Sequence, residues 1–132
     1  MSEQPFKLEL EVRDYECDME GIVNNAVYMN YLEHTRHAFL KHKGFDFATL
    51  TQKEIHLVVI RIEADYLHPL RSGDAFFVTA NVDRISKLRF GFLQDIFRSQ
   101  DSKPILKAKV IGTSLNADGK PAYYQEIEEL FK

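Results

Sequence analysis

Only one stretch of this chain, residues 26–43, carries a helical repeat long enough to cover a sheet. Tyr28, Tyr31, Leu32, Thr35, Ala38 and Phe39 fall on one face, and Gly44 stands where a helix stops. Asn30, Glu33, His37 and Lys41 occupy the other face. Nearly everything else alternates with the period of strands. Phe6, Leu8, Leu10 and Val12 predict a half-buried strand before the helix. After it, residues 55–67 are apolar on both faces for much of their length and end at Pro69, which predicts a central strand. Phe76, Val78, Ala80 and Val82 then alternate with Phe77, Thr79, Asn81 and Asp83, and Leu88, Phe90, Phe92 and Ile96 continue the pattern. A last strand covers residues 105–115. Turns are predicted at Ser72-Gly73-Asp74, at residues 99–103 and at residues 116–119. Pro121 predicts the opening of a short C-terminal helix that runs to Phe131.

Consecutive strands joined by tight turns pair antiparallel. A sheet with one apolar face must cover that face, and the long helix is the only element able to do so. The expectation is therefore an α+β hotdog: about five antiparallel strands wrapped around one long central helix, in a single domain over residues 1–132. Composition agrees with this. With 45% hydrophobic and 28% charged residues among 132, the chain can bury a core and has no disordered tract. A net charge of −3 with both signs interspersed argues against nucleic acid or an anionic membrane as partner. No apolar run is long enough for a membrane span. The first residues lack the pattern of a signal peptide, and the lone Cys17 excludes an internal disulfide. The expected compartment is reducing and cytoplasmic.

Chemistry concentrates just before the helix, in Asp18-Met-Glu-Gly-Ile-Val-Asn-Asn-Ala-Val-Tyr28. Asp18 sits in a polar, glycine-containing turn, and Asn24 and Asn25 stand where an N-cap belongs. A helix start offers unpaired N–H groups and the positive end of a dipole. That arrangement suits the polarised carbonyl of an acyl transfer, with Asp18 near the carbon. The same residue types also make up ordinary loops that lead into helices.

The spacing Val12-Arg13, then Asp18-x-x-Gly21-x-Val23-Asn24-Asn25-x-x-Tyr28-x-x-Tyr31-x-Glu33-x-x-Arg36, resembles the signature of the 4-hydroxybenzoyl-CoA thioesterase family. Tyr66-x-x-Pro69-x-x-x-Gly73-Asp74 is similar to a later segment of the same family. The resemblance implies a hotdog fold, acyl-CoA thioesterase activity, and assembly as homodimers or homotetramers. It implies further that Asp18 is the catalytic carboxylate and that the helix-start N–H is that of Asn25. Many relatives have His at the position of Ile22, so no mechanism here draws on an imidazole there.

In this scheme the carbonyl oxygen rests on the Asn25 N–H, and Asp18 either attacks the carbon or deprotonates a water. Thiolate is already a good leaving group, so no metal or other cofactor is required. The five His residues show no ligand pattern. Asp18 would raise the pKa of the adjacent Cys17 thiol, which argues against a cysteine nucleophile. Glu33 has Arg36 and His37 within a turn and is expected to form a structural ion pair. For the phosphates of CoA the candidates are Arg84, Ser86, Lys87 and Arg89, although such a cluster also serves as a solubilising hairpin. Tyr28 is placed at the mouth of the acyl chamber. The expected partner is an acyl-CoA or acyl-carrier-protein thioester; the competing reading is a non-catalytic module that binds such thioesters.

Overall fold

The computed structural model describes residues 5–132, so the expected absence of a leader at residues 1–4 lies outside the described residues. Strand β1 (Phe6–Glu11) leads through a 3₁₀ turn at Asp14–Glu16 to helix α1 (Val27–His42) and a short helix α2 (Phe47–Gln52). Strands β2 (His56–Tyr66), β3 (Ala75–Arg84), β4 (Arg89–Arg98) and β5 (Pro104–Leu115) follow, and a 3₁₀ helix, Gln125–Phe131, closes the chain. The strands form one sheet in the order β1-β3-β4-β5-β2, antiparallel throughout. Helix α1 lies against its inner face, in the expected hotdog arrangement.

The helix is held by the stripe that its sequence announces. Tyr31 is 6% exposed, Leu32 0% and Phe39 3%. Its first half packs with Phe76, Val78, Ile96 and Leu106, and its second half with Phe90, Phe92 and Val110. Each fully buried Leu or Phe contributes roughly 1.5–3 kcal/mol, so this contact dominates the stability of the pair. Tyr31 also tilts onto Phe76, at 4.6 Å between ring centroids. Among the described residues no helix is long and apolar enough to cross a membrane.

Gly44 ends α1 in a double-bonded C-terminal motif. Its N–H donates to the Lys41 carbonyl at 3.0 Å, and the Phe45 N–H donates to Leu40 at 2.9 Å. The motif needs a left-handed residue, and Gly44 has φ +91. A Cβ there would meet nothing within 4 Å, so its cost is conformational alone. Gly44→Ala is expected to lower unfolding stability by about 1–2 kcal/mol, read as a shifted denaturant midpoint at unchanged slope.

Three elements differ from the sequence reading. Strand β2 is an edge strand, not a central one: its backbone pairs with β5 on one side and with no strand among the described residues on the other, and part of its apolar surface is uncovered. Val59, Ile60, Ile62 and Tyr66 are consequently 41–52% exposed. Helix α2 was not expected. Asp46 starts it, accepting from the Ala48 N–H and the Thr49 hydroxyl, a short-range cap with too few residues behind it to show a periodicity. Finally, Pro121 does not open the last helix. It bridges to Leu115 across the tight turn at Gly119, and the helix begins only at Gln125.

Candidate active site

Asp18 sits at the head of a miniature hairpin. Cys17 pairs with Val23, the Asp18 N–H donates to Ile22 and the Asn24 N–H donates to Glu16. Three residues, Met19, Glu20 and Gly21, make the loop, closed by a bond from the Gly21 N–H to the Asp18 carbonyl. Gly21 has φ +78, as the bulge that follows this kind of turn demands. One carboxylate oxygen of Asp18 accepts from the Glu20 N–H at 2.9 Å and fixes the side chain. The residue as a whole is exposed, so a reacting group can approach it from solvent.

The hairpin is tied down from two sides, to the segment after β2 and to the helix. The Val23 N–H donates to the Leu70 carbonyl, and the Tyr31 hydroxyl donates to Glu16 at 2.8 Å. Burial, reinforced by Glu16, raises the Tyr31 phenol well above its ordinary value, so it stays a donor to that carboxylate. The Tyr31–Glu16 bond thus joins the Asp18 hairpin to α1.

At the helix start the Asn24 side chain accepts from the Ala26 N–H at 3.0 Å, and the Asn24 carbonyl accepts from Val27. Asn24 thus forms an Asx turn that leads into α1, whose N-cap position falls at Ala26 and not at Asn24 or Asn25. The Asn25 carbonyl accepts from the Tyr66 hydroxyl at 3.0 Å. The peptide between Asn25 and Ala26 is consequently held at both its oxygen and its N–H. The Asn25 N–H itself finds no acceptor among the described residues and remains available to a ligand oxygen.

Tyr66 is the site residue that reading the sequence for chemistry missed. It stands half-exposed at the end of β2, with its ring edge against Tyr28 at 5.6 Å between centroids. Its sequence signals were its place at a strand end and its position in the segment Tyr66-x-x-Pro69-x-x-x-Gly73-Asp74, which carried the family resemblance but no role for this residue. Tyr66→Phe keeps the ring contact and frees the Asn25 carbonyl. It is expected to lower kcat/KM about threefold to tenfold with little change in stability, since a net hydrogen bond is worth about 1 kcal/mol. Thiol-release kinetics beside a thermal melt would measure both.

Tyr28 lies elsewhere than expected. It is buried in the core, and its hydroxyl accepts from the Leu70 N–H at 3.0 Å. Burial raises its pKa. Its place is in the core, where it pins the segment after β2 to the helix, while Tyr66 stands half-exposed.

The β3–β4 turn holds Ser86, Lys87 and Arg89 at the surface. Arg84 is committed within the chain: its guanidinium donates to the Ser86 and Lys87 carbonyls, pairs with Glu128 and lies 4.5 Å from the Phe131 ring centroid. Lys87 stands over the Tyr123 ring. This turn lies at the opposite end of β3 from the Asp18 loop, about 30 Å away along a ten-residue strand. One chain does not bring the two together.

The expected ion pair of Glu33 does not form. Glu33 is exposed, and Arg36 turns inward to Gln94 instead, with Nη1 donating to Oε1 at 3.1 Å. The helix spacing placed Glu33 and Arg36 a turn apart, but Arg36 sits on the buried side of the stripe. Among the described residues no three His, Cys, Asp or Glu side chains converge as a metal site requires.

The chain is 41% identical over 115 residues to the acyl-acyl carrier protein thioesterase ATL3, chloroplastic, of Arabidopsis thaliana, an alignment covering 87% of this chain and 60% of that protein. The chain thus spans about 60% of the length of such relatives. A solved structure from Aquifex aeolicus superposes with a TM-score of 0.88 at 29% identity, covering 97% of this chain and all of that one. A Staphylococcus aureus protein solved in complex with CoA shares the fold, with a TM-score of 0.87 at 18% identity over 96% of this chain and 80% of that one. Residues 12–127, which include the whole of the Asp18 hairpin, α1 and the sheet from β2 onward, match the thioesterase-like superfamily, and the chain belongs to it.

Proposed function

We propose that this protein hydrolyses acyl thioesters, of CoA or of an acyl carrier protein, to the free acid and the thiol. The observation that carries the reading is the open Asn25 N–H, on a peptide chain fixed by Asn24 and Tyr66, next to a turn that presents a free carboxylate oxygen of Asp18. The substrate carbonyl oxygen accepts from the Asn25 N–H, and the helix end stabilises charge that grows on it. By one route Asp18 attacks the carbonyl carbon, the C–S bond breaks and thiolate leaves. Water then cleaves the mixed anhydride and restores the carboxylate. By the other route Asp18 takes a proton from a water that attacks directly. Neither route needs a metal. Within the superfamily, the spacing from Asp18 through Asn25 to Arg36 supports a reading as the 4-hydroxybenzoyl-CoA type, and the lone Cys17 is consistent with a reducing, cytoplasmic setting.

The site is half a site in one chain, and a second copy completes it. Strand β2 has a free edge and an uncovered apolar face. Antiparallel pairing of two β2 edges would extend the sheet across a two-fold axis. Tyr66 marks the Asp18 end of β2, and His56 lies at the end shared with the β3–β4 turn. Two-fold pairing therefore brings the β3–β4 turn of the partner to the Asp18 end. The partner subunit's Ser86, the partner subunit's Lys87 and the partner subunit's Arg89 then face the nucleotide phosphates, while Arg84 braces the turn.

Thiol release measured over a panel of acyl-CoAs and acyl carrier proteins tests the reading. Turnover that rises with enzyme concentration supports it. Tight binding without any release of thiol would make the protein a thioester-binding module instead.

A further inference from the structure

A cavity of about 310 Å³ lies beneath β2, between the second half of α1 and the inner face of the sheet. Leu40, Phe47, Leu57, Val59, Phe90 and Phe92 supply apolar walls. The Phe90 ring is fitted into the space that Gly112 leaves open, since a Cβ there would come within 2.7 Å of it. Such a chamber suits an alkyl chain.

One wall does not fit an alkyl chain. Arg36 lines the same cavity and is only 7% exposed. Its single partner among the described residues is Gln94 Oε1, at 3.1 Å. Gln94 is 1% exposed and is itself fixed, because its Nε2 donates to the Leu32 carbonyl at 3.1 Å. That bond sets the amide so that its oxygen faces Arg36, and it aims the guanidinium. The Nε and Nη2 donors of Arg36 meet no acceptor among the described residues; Glu33, which lines the same cavity and favours the charged guanidinium, lies beyond ion-pair distance. A buried guanidinium is costly unless its charge and its donors are matched. An alkyl pocket would be better served by Leu or Met at this position.

We propose that the cavity takes an acyl chain bearing an acceptor oxygen at its far end, received by the open donors of Arg36. The strongest complement to a planar guanidinium is a carboxylate, and a hydroxyl is a weaker one. Arg36 is eleven residues beyond Asn25, about 16 Å along the helix axis. The carbonyl and the distal oxygen of one substrate are thus read at opposite ends of a chain, with alkyl carbons between. This deepens the thioesterase reading and rests on it for the turnover experiment alone.

The test compares acyl-CoAs of equal length that end in methyl, hydroxyl or carboxylate. Wild type should show kcat/KM about tenfold to a hundredfold higher for the oxygen-ended chain at its best length, as a hydrogen bond to a charged group allows. Arg36→Met keeps the aliphatic bulk and should abolish that ratio, and Arg36→Lys should keep part of it. Calorimetric binding of free monocarboxylic and dicarboxylic fatty acids to wild type reads the cavity without requiring either catalysis or a folded variant. Tighter binding of the dicarboxylate supports the proposal even if no thioester is cut, in which case only the hydrolase reading fails. Three results would overturn it: methyl-ended chains preferred or equal in both assays, a preference that persists in Arg36→Met, or an Arg36→Met effect confined to dimer dissociation. The last would show that the second copy supplies the missing acceptor.

Discussion

Asp18→Asn should reduce kcat by a factor of roughly 10² to 10⁴, the usual contribution of a positioned acid–base group. The fold should not register the change. Asn keeps the oxygen that accepts from the Glu20 N–H, and the remaining bonds of the hairpin are made by backbone atoms. A melting temperature within a degree or two of wild type is therefore expected. KM should stay level or fall, since the substituted site no longer holds a charge against an apolar acyl group. Asp18→Ala is a harsher probe, because it also removes the turn acceptor and so combines lost chemistry with about 1 kcal/mol of lost stability. Cys17→Ser and Glu33→Gln serve as neighbours without a part in the reaction, and both should retain most of the activity. If the Asp18→Asn variant cleaves every accepted thioester at the wild-type rate, Asp18 is a turn residue only.

What the sequence made legible was whatever one short segment encodes by itself. The stripe from Tyr28 to Phe39 gave the helix, and Gly44 gave its end, because helical period and a left-handed stop are local properties. The alternation of Phe76, Val78 and Ala80 gave a strand with one buried face for the same reason. The turn at Asp18 was legible too. What escaped depended on residues distant in the chain. Tyr66 lies 41 residues from Asn25, and no periodicity links them. Gln94 occupies a core-facing position between Phe92 and Ile96, but its role appears only when Arg36, 58 residues away, turns toward it. Arg84 read as a free cation until Glu128 and Phe131 folded back on it.

Strand β2 is the most instructive case, since its composition was read correctly and its position was not. A run apolar on both faces normally means a strand covered on both sides. Here the single chain covers neither side fully, and the uncovered apolar residues lie on the edge that the proposed dimer would join. In the proposed dimer that sequence feature belongs to the assembly, while the expectation was framed for one chain.

Ile60→Asp combined with Ile62→Asp should separate that assembly into folded monomers. Both residues are already exposed in one chain, 45% and 41%, so their replacement removes little burial within the subunit. Ile60 falls at the register shift between Val59 and Arg61 and has no partner on β5, which leaves it free to change without disturbing the ladder. Intrinsic stability of the subunit should shift by no more than about 1 kcal/mol. Across a two-fold axis in this part of β2, however, the new carboxylates of the two copies are brought together, and like charges at an interface cost several kcal/mol. The dimer dissociation constant should rise by at least about a thousandfold. Sedimentation velocity at micromolar concentration should then show a single monomeric species with an unchanged far-ultraviolet spectrum. Thiol release should fall by roughly 10² or more, because the Asn25 N–H and Asp18 would face water instead of a closed, low-dielectric site and the phosphate-binding turn of the partner would be gone. A monomer that kept full turnover would separate catalysis from assembly and confine the phosphate contacts to the chain that carries Asp18.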